Sequence, residues 1–534
     1  MTDRETEDDR RSFTSRTPAN VNPDKVQYRR GFVTRHQVTG WRFVMRRIAS
    51  GVALHDTRMF VDPLRTQSRA ILMGALIVVT ALAGCFVFSL IRPNSSIGNN
   101  TVLADRSSAA LYVRIGDQLH PVLNLTSARL IVGQPVNPTS VRSNQLDKFP
   151  RGNLLGIPGA PERLVQNTAK DADWTVCDAV SGPTNGVTVI GGPLDNSGAR
   201  AAALRDGHAI LADNGSGTWL LWNGRRSRID LTDRAVTGAL GLGADVPAPR
   251  PIAAGLFNAV PEAPPLTVPV IPDAGRPPRF ALPAPAPVGS VMMAHATDGS
   301  LLYYAVLPDG LQPVSPVLAA MLRNANSYGL EQPPRLSPDQ VAKLPVSRML
   351  DTARYPDQRV TPVDNAGAPV TCAYWSKPAG ASISSLTLLS GAALPVADAT
   401  HTVELVGGGV DGTASRVALA PGSGYFVQTV GNGAAAPPAG SLFWVADTGV
   451  RYGIDQEAGN AGHAKTVESL GLSSPPDPIP WSMLSLFASG PTLSRADALL
   501  AHDSLTPDPR HTRPIASMWG APPASSPASG GENR

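Results

Sequence analysis

The run Gly459-Asn460-Ala461-Gly462-His463-Ala464-Lys465-Thr466 has nearly the residue types and spacing of a phosphate-binding loop. Such a loop wraps backbone N–H groups around phosphate, sets a lysine against the outer phosphates and gives the next hydroxyl to a metal ion. Ala464 stands where the glycine before the lysine belongs, and its side chain obstructs the backbone's approach. No preceding strand is well placed, so Gly459, Lys465 and Thr466 make only a weak nucleotide site, with ATP as its ligand. Gly407-Gly408-Gly409-Val410-Asp411-Gly412 matches a dinucleotide glycine spacing after a strand-like run, Val403 to Val406. The next residues, Thr413 to Pro421, read as a second strand, whereas pyrophosphate is held by a helix N-terminus. A glycine-rich hairpin turn is the better account. His-Glu-x-x-His, paired His/Cys metal spacing, Gly-x-Ser-x-Gly and Ser-x-x-Lys are all absent, and the nine histidines are scattered singly. The sequence supplies no catalytic residue and no metal ligand.

The remaining chemistry is that of three cysteines. Cys85 falls inside Ala70 to Ile91, a stretch of 22 uncharged residues between Arg69 and Arg92. As a helix this stretch reaches roughly 33 Å, enough for a hydrocarbon core of about 30 Å. Residues 1–69 carry fourteen Lys/Arg, whereas residues 92–128 carry only Arg92, Arg106 and Arg114. That bias puts the N-terminus in the cytoplasm and the body outside the plasma membrane. Leu82-Ala83-Gly84-Cys85 has the form of a lipoprotein cleavage box, but the apolar run continues through Ile91. A secretory leader would also not begin with so long a polar segment. The expected element is one intact anchor.

Cys177 and Cys372 lie on the far side, where disulfides persist, and two thiols can form only one bridge. Asp173 to Cys177 and Val370 to Trp375 read as strands, each followed by another, Val187 to Ile190 and Ile383 to Leu389. A disulfide-linked central β core is expected, its bridge contributing about 4–5 kcal/mol through the long loop that it closes.

Composition agrees with a β-rich α+β body. Charged residues are 16% and aromatics 5%, with 50 Gly and 51 Pro, which favours turns over long helices. The net charge of +4 is small for 534 residues and gives no warrant for a nucleic-acid partner. Four stretches resemble one another: Leu111 to Val122, Trp219 to Leu231, Leu301 to Val314 and Leu442 to Ile454. Each sets an apolar run before a turn, at Gly116-Asp117, Asn223-Gly224, Asp309-Gly310 and Thr448-Gly449. Helical segments come after them at Asn124 to Ile131, Asp230 to Leu242, Val317 to Leu322 and Ala464 to Leu470. Ser315-Pro316 makes the third a capped helix start.

These features divide the chain. Residues 1–33 are expected to be disordered, 34–69 to hold a cytoplasmic amphipathic helix and 70–91 to span the membrane. Four hairpin-plus-helix repeats are expected over 92–161, 206–242, 291–346 and 425–502. The two halves of the central core occupy 162–205 and 347–424. A Pro/Ala-rich linker fills 243–290, where no regular helix is expected, and a disordered tail fills 503–534.

In the cytoplasmic segment, Val38, Trp41, Met45 and Ile48 recur at helical steps, with Arg35, Arg42 and Arg46 on one side. Two uses suit this helix: lying on anionic headgroups, or docking cytoplasmic proteins through Val38, Trp41, Arg42, Met45, Arg46 and Ile48. The stretch contains Gln37, Gly40, Arg42-Phe43, Arg46-Arg47, Asp56, Arg58-Met59 and Asp62-Pro63-Leu64-Arg65. With the single anchor, Pro150-Arg151-Gly152 and Gly156-Ile157-Pro158-Gly159-Ala160-Pro161, it resembles the EccB family over nearly the whole chain. EccB is the membrane-anchored core component of mycobacterial type VII (ESX) secretion machinery.

The resemblance implies a single-pass inner-membrane subunit with four periplasmic repeats, acting as a structural link. Its implied partners are the EccC-type ATPase, EccD, EccE and the mycosin protease, together with further copies of itself. The family is often labelled ATPase, so an ATP-hydrolysing subunit is the rival function. A cell-wall binding module is the third, although the body is poor in the aromatics that glycan sites usually expose.

Overall fold

The computed structural model describes residues 34–55, 63–91 and 97–505, apart from 183, 244–245, 297, 410–411, 456–461 and 474. The expected disordered tails, 1–33 and all but the start of 503–534, lie outside these residues. The chain divides into two units, Met1–Asn94 and Ser95–Arg534.

The described residues of the first unit form two helices. Helix α1, Arg35–Leu54, starts after Thr34, whose backbone N–H donates to the Gln37 side chain at 2.9 Å. Helix α2, Pro63–Ile91, begins on a proline, whose missing N–H costs nothing in a first turn. Gln67–Phe88 of this helix is long and apolar enough to cross a membrane. The expected amphipathic segment 34–69 is therefore not one element, because residues from Pro63 onward are already continuous with the apolar helix.

In the second unit one arrangement recurs four times. Repeat 1 is an antiparallel meander of β1, Val102–Asp105, β2, Leu111–Ile115, and β3, Gln118–Val122. Helix α3, Leu125–Val132, then carries the chain back so that β4, Thr139–Val141, lies parallel beside β1. A short helix α4, Ser143–Leu146, comes next, and β5, Leu154–Leu155, lies parallel beside β3. Three strands of the central sheet are then laid down: β6, Ala172–Ala179, β7, Gly186–Gly191, and β8, Ala202–Ala203. Repeat 2 has β9, His208–Asp213, β10, Thr218–Trp222, and β11, Arg225–Arg228, then α5, Arg234–Leu240, β12, Arg250–Pro251, α6, Ala254–Ala259, and β13, Glu262–Ala263. Repeat 3 has β14, Val291–His295, β15, Leu301–Leu307, and β16, Gly310–Val314, then α7, Pro316–Ala325, β17, Arg335–Leu336, and α8, Pro338–Ala342. Its fifth strand is reduced to a parallel bridge between Val346 and Leu311.

After β18, Thr361–Pro362, the central sheet gains β19, Val370–Lys377, β20, Ser385–Gly391, β21, Val403–Glu404, and β22, Arg416–Ala418. Repeat 4 has β23, Tyr425–Val430, β24, Leu442–Val445, and β25, Val450–Ile454, then α9, Gly462–Leu470, β26, Asp477–Pro480, α10, Trp481–Leu484, and β27, Ala488–Ser489. The last strand, β28, Ala501–His502, pairs with β5 of repeat 1. In every repeat the spatial order is fourth, first, second, third, fifth.

The repeat is thus larger than a hairpin plus a helix. Repeat 2 does not end at 242: β12, α6 and β13 all come from the stretch expected to be a linker, 243–290. Helix α6 forms there because Ile252 to Val260 contains no proline, although prolines flank it. Residues 347–424 are not all central core either, since β18 pairs with β9 of repeat 2. Two turns differ in register. Leu307 pairs with Gly310, so Pro308-Asp309 is the repeat 3 turn, and Gly310 sits in the strand against the Pro345 carbonyl. In repeat 4 the turn is Asp447-Thr448-Gly449, closed from Gly449 N–H to the Ala446 carbonyl, with Gly449 at φ 82. Asn223-Gly224 is the expected two-residue turn, both residues at positive φ.

The central sheet runs β21-β22-β7-β6-β19-β20-β8. Strands β6 and β19 pair antiparallel with Cys177 opposite Cys372, and these cysteines form the expected disulfide. One face buries Trp174, Val176, Val189 and Trp375 against Leu256 of α6, Met483 of α10 and Phe487 just beyond it. The other face buries the disulfide with Ile190, Val370 and Leu389. Repeats 2 and 3 share a core through α5 and α7, and repeats 1 and 4 share another through α3 and α9.

Beside the disulfide lies a buried ion pair that the sequence did not disclose. Arg250 of β12 is 3.6 Å from Asp178 through Nη2 and Oδ2, both side chains almost wholly buried. Its guanidinium also donates to Thr371 Oγ1 and to the carbonyls of Asp178 and Pro369. Asp178 Oδ2 accepts the Ala253 N–H at 3.0 Å. Burial pushes the Asp178 carboxyl above its usual range, with the Ala253 N–H and the Arg250 charge opposing that push. Removing one partner strands a buried charge, at a cost of about 3–5 kcal/mol, whereas replacing both by apolar groups of similar volume costs much less. In denaturant melts of the chain, Arg250→Met should be destabilised by roughly that amount and Asp178→Leu/Arg250→Met should recover most of it. Alkylation without reductant should leave Cys177 and Cys372 unmodified in unfolded protein. After reduction both should label.

Candidate functional site

The weak nucleotide run lies where β25 of repeat 4 leads into α9. Gly459 is outside the described residues, whereas Lys465 and Thr466 are in the first turns of α9. A strand does precede the run, contrary to expectation, since β25 ends at Ile454, and α9 leads on to β26. Lys465 is exposed, while Thr466 is buried with Val467, Ser469 and Leu470 on the side of α9 that packs on α3. The two side chains face different surroundings. In the other three repeats this junction is a helix cap. Asn124, Asp233 and Ser315 accept hydrogen bonds from the first backbone N–H groups of α3, α5 and α7.

The second glycine run is a hairpin. Val403 of β21 pairs antiparallel with Val417 of β22, and among the described residues the glycines lead into that strand and not into a helix. Gly408 passes so close to the Ser415 backbone that a Cβ would lie 2.9 Å from it.

On α1, the residues expected to dock partners, Val38, Trp41, Met45 and Ile48, are exposed among the described residues, Trp41 at 66%. Arg42 and Arg46 are exposed beside them.

Among the described residues, hollows in the body are lined by polar side chains, two of them at seams between a repeat and the central sheet. An open cleft of about 440 Å³ runs along the seam between repeat 2 and the central sheet, lined by Arg205, Asp206, His208, Asn223, Asp357 and Gln358 among others. The hairpin tip at Gly224 fits this seam only as glycine, since a Cβ would approach the Leu386 carbonyl oxygen to 2.3 Å. A smaller hollow of about 270 Å³ lies between repeat 4 and the start of β6, lined by Lys170, Asp171, Asp173, Tyr425 and Asp477. Its walls are tied by Trp174 Nε1 donating to the Pro478 carbonyl at 3.1 Å and by the Tyr425 hydroxyl donating to the Gly191 carbonyl. Among the described residues no three His, Cys, Asp or Glu side chains are grouped to hold a metal ion.

The geometry shows cores shared between repeats and seams that brace them on the central sheet. A family model described as "Type VII secretion system ESX-1, transport TM domain B" matches residues 30–507. The chain belongs to the EccB family. It is 70% identical over 532 residues to the ESX-3 secretion system ATPase EccB3 of Mycobacterium tuberculosis H37Rv, covering 97% of this chain and 98% of that one. A solved structure of an EccB3 dimer from the ESX-3 core complex is 61% identical, with a TM-score of 0.68, over 75% of this chain and all of that one. A chain of an intact ESX-5 inner membrane complex is 38% identical, with a TM-score of 0.70, over 92% and 99%. The α+β fold, the one membrane-length apolar helix among the described residues and the inner-membrane setting all agree with EccB membership. Relatives bear the word ATPase in their names.

Asp477 supplies a pH test of the repeat 4 junction. Burial pushes its carboxyl up to about 6 from an ordinary 3.8. The folded form then binds the proton more tightly than the unfolded form, so this group adds stability as pH falls through about 6 and withdraws it above. Melting temperatures measured from neutral to mildly acid pH should rise more for the native chain than for Asp477→Asn. The variant should melt higher at neutral pH.

Proposed function

We propose that this chain is a structural core subunit of an ESX-3-type secretion complex. It links cytoplasmic and membrane-embedded subunits to an assembly on the periplasmic side, with no chemistry of its own. The observation that carries this reading is the architecture: one apolar helix joins a basic cytoplasmic helix to four copies of a β-rich repeat braced on one disulfide-linked sheet. Its partners are the EccC-type ATPase, EccD and EccE, with the mycosin protease nearby. The periplasmic bodies self-associate, as the ESX-3 relative does in its dimer. Similarity favours ESX-3 over ESX-5.

The rival reading, ATP hydrolysis by this subunit, draws on the relatives' names and on the run around Lys465. Against it, Thr466 is buried in the packed side of α9 while Lys465 is exposed, so the hydroxyl is not open to a metal–nucleotide, and ATP is scarce outside the membrane. The cell-wall reading gains little from the polar cleft beside repeat 2, where Trp222 is buried under Arg225.

Mild-detergent purification of the tagged chain from its host, followed by mass spectrometry, should recover the other ESX core subunits with it. A lone monomer would overturn the proposal. Purified protein should show no ATP turnover that Lys465→Ala removes; turnover abolished by that substitution would favour the rival. Pull-down by isolated cell wall in the absence of other subunits would favour the third reading.

A further inference from the structure

Helix α1 carries its charge in a pattern that selects one kind of surface. No acidic residue occurs from Arg35 to Leu54. At 100° per residue, Val38, Trp41, Met45, Ile48 and Val52 fall within one arc of about 80°. Arg35, Arg42 and Arg46 cluster along one margin of that arc, not opposite it. All five apolar side chains are exposed, Trp41 at 66%, Ile48 at 55% and Val52 at 75%. An apolar face with arginines at its rim matches an interface in which stems lie in the acyl region and guanidinium groups rise to phosphate level.

The chain also fixes where such a surface must be. Only residues 55–62 separate α1 from α2, and α2 carries the span Gln67–Phe88. Eight extended residues reach at most about 29 Å, so α1 cannot leave the neighbourhood of the bilayer surface. Arg58 in this tether and Arg65 and Arg69 at the start of α2 add positive charge beside it.

We infer that α1 lies in the headgroup layer of the cytoplasmic leaflet, its Val38–Trp41–Met45–Ile48–Val52 face in the acyl boundary and Arg35, Arg42 and Arg46 on anionic phosphates. This deepens the membrane-anchored scaffold reading and rests on it. The side that remains for cytoplasmic subunits is the opposite one, which carries His36, Gly40 and Arg47 together with the exposed Phe43 and Leu54. Electrostatic attraction makes the seating depend on anionic lipid, each basic group near the surface contributing about fivefold in affinity.

The test uses the full chain in nanodiscs, with Cys85→Ser and a spin label at Trp41→Cys or His36→Cys. With phosphatidylglycerol present, the label at 41 should be reached by oxygen and shielded from a water-soluble nickel relaxant, while the label at 36 stays exposed to nickel. In nanodiscs of phosphatidylcholine alone, or with Arg42→Glu/Arg46→Glu in phosphatidylglycerol, the label at 41 should move into water. A label at 41 that stays in water in anionic nanodiscs overturns the inference, as does shielding equal in both lipids. Shielding that appears only when a purified cytoplasmic subunit is added overturns it too and makes the face a protein-docking surface. Co-purification with other subunits is indifferent to these outcomes, so the scaffold reading can fail or stand separately.

Discussion

The pairing of β6 with β19 is the contact on which the rest of the body depends. Eight consecutive residue pairs join Ala172–Ala179 to Val370–Lys377, and the disulfide locks one pair near the middle. These strands are almost two hundred residues apart in sequence, so their pairing bears a large loop-closure cost that local contacts cannot offset. Once it forms, everything between them is confined. Repeats 2 and 3 lie within that loop and must pack on each other, as α5 and α7 do, while repeats 1 and 4 lie outside it and share the α3–α9 core.

The two halves are organised alike. Repeat 1, β6–β7 and repeat 2 are matched in order by repeat 3, β19–β20 and repeat 4. At the centre the halves exchange strands, since β8, which comes after β7, pairs with β20, and β22, which comes after β20, pairs with β7. The correspondence extends to side chains. In repeat 2, Arg226 lies 3.9 Å from the Phe257 ring centroid and donates to the Val260 carbonyl at 2.7 Å. In repeat 4, Arg451 lies 5.3 Å from the Trp481 ring centroid and its Nε donates to the Phe487 carbonyl. Both arginines satisfy carbonyls in the chain that leaves a short helix packed on the central sheet, Val260 just after α6 and Phe487 three residues after α10, where unmet acceptors would be costly.

The features legible in the sequence were those that depend on neighbours along the chain. Asn223-Gly224 encodes its turn because both residues tolerate positive φ, and Ser315-Pro316 encodes a helix start. The cysteines and their flanking apolar strands marked the core, since buried strands read as apolar runs. The fourth and fifth strands of each repeat escaped notice because they are two to four residues long and owe their conformation to the sheet edge they join. Arg250 was hidden for the same reason: in Pro247 to Pro251 it reads as a solvated charge in a loop, and only the fold turns it inward onto Asp178. The glycines at 310 and 449 were seen, but a turn's register depends on which pairs close across it.

Among the described residues, polar groups at the repeat junctions are used to satisfy the backbone. At each junction with the shape of an anion-binding loop, the helix N-terminus in repeats 1 to 3 is already occupied by its own capping side chain. The buried charges of the core are likewise engaged with one another, Arg250 with Asp178, across the boundary between a repeat and the central sheet. Polar groups spent on satisfying the backbone and tying units together hold geometry, and such geometry suits a body that must transmit position from one set of contacts to another. On the seam between repeat 4 and the sheet, burial pushes the Asp477 carboxyl up to about 6, so this seam favours its neutral form over its charged one.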